Sequence, residues 1–295
     1  MAQSPSHKFG QLIGNLLEAT VEPFLQKFAH KHGLYLDKKG PRPARKGQKV
    51  TWIDLKDNLH DLDFVLERGG GAEVIGVPVA FVESAWRRYT KHSRNKAQEI
   101  QGAILPLVAA HQASAPFTGV FLAGIFTEGA LKQLRSLGFH VVYLSQETVV
   151  EAFSRVRIDA RFGEATPDTE FARKIRAWER LTKKQRLLVI KTLTELNSAQ
   201  IDDLMQALER SITRQIKAVR ILPLHGTSFD WTSIEDAIIF IEGYVDGESA
   251  RPIIRFEIEV QYNNGDTIKG VFTDKSTAIK FLKDYQPVLP QPAKQ

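Results

Sequence analysis

Two acidic residues stand where the chain otherwise reads as core. Asp63 precedes the apolar Phe64-Val65-Leu66, and Glu83 follows the apolar Val79-Ala80-Phe81-Val82, so each closes one end of a segment patterned as a buried strand. Between them Gly69-Gly70-Gly71 supplies the turn of a hairpin, and a hairpin could bring the two carboxylates together. Such a pair suits Mg²⁺, a hard cation that takes one or two carboxylates together with water and a phosphate oxygen. An ion held there lowers the pKa of a bound water and offsets the charge that grows on a phosphoryl group under attack. The chemistry open to this pair is hydrolysis of a phosphate ester.

The surroundings favour a polyanionic substrate. Trp86-Arg87-Arg88-Tyr89-Thr90-Lys91-His92-Ser93-Arg94-Asn95-Lys96 interleaves aromatic rings with Lys and Arg and contains no acid. That mixture suits phosphate contacts and base stacking, with Arg87, Arg88, Lys91 and Arg94 as the candidate cations. Upstream, KKGPRPARKGQ at residues 38–48 reads as an exposed basic loop that offers Lys38, Lys39, Arg42 and Arg45 to phosphates. Other chemistries lack their residues. The three glycines are followed by no GK[ST], His30 and His32 have no carboxylate cluster, and there is neither a GxSxG elbow nor a cysteine.

The elements that must position these groups follow from periodicity. Leu12, Ile13, Leu16, Leu17, Val21, Phe24, Leu25 and Phe28 recur at helical spacing up to a stop at Gly33. Strands are expected at residues 50–55, 62–66 and 77–82 as an antiparallel meander. A helix over 96–108 follows, which Pro106 should kink or end. A strand at 118–125, a helix at 128–137 and a strand at 139–144 complete an α/β rhythm. A mixed central sheet flanked by helices is the economical architecture for this order. The stretch Ala165-Thr166-Pro167-Asp168 reads as a boundary, which gives a domain over 1–164 and another over 165–295. The second should be helical through 169–222, with a basic run at 173–191, and should end in a β-hairpin and a short helix. No internal repeat is evident at this level.

The composition, 43% hydrophobic and 25% charged, is that of an ordinary globular chain, and no apolar run approaches a bilayer span. Expected from this are a soluble protein without membrane association and, with no cysteine and no secretory leader, a cytoplasmic one. The net charge is +6, yet residues 228–285 hold 11 acidic against 6 basic residues, so basic charge is concentrated elsewhere.

Asp63 and Glu83 on a glycine hairpin, the preceding helix, the following helix and two later buried strands together resemble the PD-(D/E)XK nuclease superfamily over about residues 10–150. The resemblance implies a restriction-endonuclease-like core and a Mg²⁺-dependent endonuclease acting on double-stranded DNA. It assigns Asp63 and Glu83 as metal-binding carboxylates, with Glu18 of the first helix as a third acid near the metal. The superfamily motif places Lys two positions after the glutamate, where this chain has Ala85. Some members supply that lysine from the next helix, and Lys96 is the candidate here, ahead of Lys91 and Arg87. A type II-like restriction enzyme is the leading expectation, with a homodimer favoured if the cut is palindromic. A repair or junction nuclease, or a DNA-binding protein with a degenerate site, is the alternative.

Overall fold

The computed structural model describes residues 4–89, 93–163, 165–223, 227–245 and 255–285. It is a mixed α/β molecule that divides into two compact units, Met1–Glu209 and Arg210–Gln295. The first unit opens with helix α1 (Pro5–His32), capped by the Ser4 hydroxyl and stopped by Gly33 in the left-handed region (φ 62°). There follow β1 (Leu34–Lys38), β2 (Val50–Ile53), β3 (Leu59–Leu62), β4 (Phe64–Arg68) and the long β5 (Val77–Arg87). Next come α2 (Ser93–Ala110), β6 (Phe117–Gly124), α3 (Glu128–Ser136), β7 (His140–Ser145) and α4 (Gln146–Ser154). Helices α5 (Asp168–Glu179), α6 (Lys183–Leu196) and α7 (Ser198–Ile212) close the series.

One five-stranded sheet, ordered β1-β4-β5-β6-β7, organises this unit. Its first three strands are antiparallel, and β5, β6 and β7 run parallel. The parallel part is apolar on both faces because helices cover both: β6 is buried at every position. On one face Phe81, Ala85, Val120 and Leu122 pack with Ala97, Ile100 and Ile104 of α2 and with Ala130, Leu131 and Leu134 of α3. The other face carries α1, α4 and α6. The open edge of β7 is closed by a side chain. Gln200 of α7 accepts a hydrogen bond from the Tyr143 amide (3.0 Å) and donates one to its carbonyl (3.2 Å), as a further strand would.

Several expectations need correction. The meander of the main sheet is β1-β4-β5. The strand expected at residues 50–55 instead pairs with β3 as a separate two-stranded hairpin. Helix α2 continues through Pro106, which forfeits one hydrogen bond without ending it. The boundary expected at 164/165 falls within the first unit, because α5 and α6 pack on α1. Helical structure does not extend to 222 either. Residues Ile216–Pro223 form a strand in which Val219, Ile221 and Pro223 are buried in alternation.

The second unit contains β8 (Ile216–Pro223), β9 (Phe229–Trp231), α8 (Ile234–Gly243), β10 (Phe256–Tyr262), β11 (Thr267–Phe272) and α9 (Lys275–Lys283). Its four strands form an antiparallel sheet ordered β11-β10-β8-β9. This is a strand-strand-helix motif present twice, a repeat that the sequence alone did not reveal. Thr232, Ala237, Ile238, Phe240 and Tyr244 return as Thr273, Ala278, Ile279, Phe281 and Tyr285 at one constant offset. The ring series Trp231-Phe240-Tyr244 returns as Phe272-Phe281-Tyr285. At that same offset Val219 and Val260 are equivalent, and they face each other across the central β8–β10 pair. The hairpins are not identical in register: Val219 faces Trp231, whereas Val260 faces Ile268.

Candidate functional site

Strand register builds the acidic pair. β4 and β5 align Phe64 with Val82, so one further step brings Asp63, at the bend between β3 and β4, opposite Glu83. The two are tied by the backbone. The Asp63 amide donates to Glu83 Oε1 at 3.0 Å, while the Ser84 amide and hydroxyl both donate to Asp63 Oδ2 at 2.8 Å. Among the described residues, no hydrogen bond reaches Asp63 Oδ1 or Glu83 Oε2, which leaves an oxygen of each carboxylate uncommitted.

Electrostatics mark the pair as frustrated. Glu83 is buried, and burial, reinforced by the charge of Asp63, pushes its pKa up to about 8, with Lys96 and the Asp63 amide acting against this. Glu18 is also raised, first by burial and then by Asp63, and Lys39 lowers it. The chain therefore gathers carboxylates from α1, the β3–β4 bend and β5 into one region.

A bound cation is the natural remedy, and the donor set fits Mg²⁺ in part. Two carboxylates with one uncommitted oxygen each match an ion that completes its shell with water and substrate. Yet no group of three or more His, Asp or Glu among the described residues is placed to hold a metal ion together. Glu18 thus stands beside the pair and is not a third member of a preformed cage.

Lys96 sits in the first turn of α2, as expected. Glu83 alternates along β5 with Phe81 and Ala85, both packed against α2, so the start of that helix is delivered to the carboxylate. Ala85 itself is buried. A residue not anticipated from sequence, Glu99, lies one turn further on. Its Oε2 is 3.1 Å from Arg87 Nη2 and 3.3 Å from Lys96 Nζ. Ser84 was also not anticipated. A small hydroxyl residue next to a strand-end glutamate was the signal available for it.

The expected phosphate contacts separate into two kinds. Arg42 and Arg45 require correction, since they face inward. Arg42 donates to Glu67 (2.6 and 2.9 Å) and pairs with Asp37 (2.8 Å), and its side chain is only 2% exposed. Arg45 pairs with the same Asp37 at 3.1 Å and is nearly buried. Buried aspartate and glutamate attract these cations into the fold, so neither is free for DNA. Lys38 pairs with Glu22 at the surface, whereas Lys39 and Arg94 are exposed. Arg88 lies over the rings of Tyr89 (4.2 Å) and Phe171 (4.8 Å) and is half-buried. Lys91 lies outside the described residues.

No protein-family model and no curated protein matches the chain. Among solved structures, one titled "Crystal Structure of Protein of Unknown Function AF1548" shares 13% identity and covers 67% of this chain and 98% of its own, at a TM-score of 0.29. A likeness that slight carries no argument. Among the described residues, no helix is long and apolar enough to cross a membrane.

Proposed function

We propose that this protein is a Mg²⁺-dependent endonuclease of the PD-(D/E)XK kind, with a restriction-endonuclease-like core and double-stranded DNA as its substrate. The observation that carries the reading is the Asp63–Glu83 pair, two acids held together on adjacent strands with an oxygen of each uncommitted. The strand order supports it: an antiparallel meander that continues into a parallel strand through α2.

When bound, Mg²⁺ would supply Lewis acidity to the scissile phosphate and an acidified water. Asp63 and Glu83 would hold it, and Ser84 fixes the orientation of Asp63 through two hydrogen bonds. Lys96 carries the positive charge that offsets negative charge gathering on the phosphoryl oxygens. Arg87 is less suited to exchange a proton with water, because a guanidinium holds its charge in proteins. Lys39 and Arg94 provide phosphate contacts that position the duplex without reading its sequence.

Incubation of the purified protein with plasmid DNA tests this. Cleavage should require Mg²⁺ and cease with a chelator. Discrete fragments favour a restriction enzyme, and selective cutting of branched DNA favours a repair or junction nuclease. Binding without any cleavage would reduce the site to a degenerate one.

A further inference from the structure

Beside the carboxylate pair lies a cavity of about 640 Å³ that the reading above leaves without a role. Its walls are the first turns of α1, the end of β5 and the start of α2. Ser84 and Lys96 line it, so it adjoins the pair directly: Ser84 holds Asp63, and Lys96 is the cation felt by Glu83. The volume is that of a site for a small molecule, well short of what a duplex needs.

The lining is chemically mixed. Arg87 and Lys96 supply positive charge, Trp86 an aromatic surface, and Gln11 and Asn95 amide donors and acceptors. Trp86 is firmly held, with its ring edge-on to Phe162 at 5.3 Å. Gly10 lies against the indole on one side. Gly124 (φ 94°) does so on another, where any Cβ would strike the ring and the Arg87 carbonyl. The Glu99 carboxylate sits between Arg87 and Lys96, yet its side chain is 57% exposed and can swing into solvent. An anion bridging two cations at a cavity wall occupies the place a phosphate would take.

Building on the nuclease reading, we propose that this cavity receives one nucleotide of the substrate strand. Its phosphate displaces Glu99 from Arg87 and Lys96, and its base lies against Trp86. The nucleotide so held is one that has left the stack of the duplex, and its unstacking is offset by stacking on the ring.

The test is calorimetric titration of the full-length protein with deoxyadenosine monophosphate in the presence of a chelator. Saturable binding with Kd below about 1 mM is expected. Gly14→Leu should weaken it at least about tenfold: Gly14 lines the cavity, an added Cβ there meets no atom within 4 Å, and the helix gains from losing a glycine. Glu99→Gln should tighten binding by about threefold or more, since it removes the competing charge. Lack of saturation by about 5 mM would overturn the proposal. So would wild-type affinity in Gly14→Leu, or inorganic phosphate that binds as tightly as the nucleotide. Because the readout needs neither Mg²⁺ nor turnover, failure to cut plasmid leaves the cavity assignment standing. Failure to bind the nucleotide equally leaves the nuclease reading standing.

Discussion

Strand β4 has a cluster of buried or half-buried acids at each end, and the two clusters are opposites. At one end Glu67 and Asp37, both buried, share Arg42, and Gly76 donates a further hydrogen bond to Glu67 at 2.7 Å. At the other, Asp63 and Glu83 face each other with no cation in hydrogen-bond contact among the described residues, and Glu83 is pushed up to about 8. The first cluster is compensated in full and reads as architecture. The second has Lys96 nearby but not in contact, an arrangement that a bound cation would complete. Buried acid by itself therefore does not single out a site; what separates the two ends is whether the chain brings a cation into contact with the acids.

Substitutions at the two ends should accordingly fail in different assays. Asp63→Asn and Glu83→Gln should each lower Mg²⁺-dependent cleavage by at least about 10³-fold, beyond the loss of a single stabilising donor, with DNA affinity held within about tenfold. Wild-type cutting by either variant, measured on plasmid, would remove the pair from the mechanism. Arg42→Met should leave Glu67 buried without a cation and Asp37 with Arg45 alone, destabilising the fold by about 3–5 kcal/mol in urea denaturation. A near-neutral result would mean that the cluster opens to water.

Lys96→Ala should slow cleavage about a hundredfold with little loss of binding, the size expected for one well-placed charge. If it cuts normally while Arg87→Ala does not, the cation has been assigned to the wrong residue.

Stability against pH distinguishes the ends again. In the folded state Glu83 keeps its proton between its ordinary value of 4.5 and about 8, where the unfolded chain has released it. Folding stability therefore falls as pH rises through that window. Glu83→Gln should match the wild type near pH 5 and exceed it in stability near pH 9, and Mg²⁺ should narrow that gap. Equal melting temperatures at both pH values would show the carboxylate to be well solvated. The smallest effect is expected at the surface: Lys39→Gln and Arg94→Gln should each flatten the slope of log K for DNA against log salt by about 1.

Part of this contrast was legible in the residues. Asp63 and Glu83 stand out because each interrupts an apolar run at its end, and the register of two strands needs no further information to join them. Arg42 could not be read the same way. Its partner Glu67 is 25 positions distant, and in a Pro/Gly-rich basic stretch nothing distinguishes an inward arginine from an outward one. β1 escaped notice because Leu34-Tyr35-Leu36-Asp37-Lys38 is short and ends in charge. Its buried aspartate makes sense only beside Arg42 and Arg45. The repeat of the second unit was hidden because it preserves contact positions, such as Phe240 and Phe281, and little between them.

That repeat bears on how the chain assembles. Two similar strand-strand-helix halves that meet through β8 and β10 offer each other an interface which a half from another molecule could also provide. Within one chain the halves are covalently joined, which favours their pairing with each other over pairing with a half from another molecule. Exchange of halves between copies is the competing assembly that such a repeat makes available, and it gains ground as protein concentration rises.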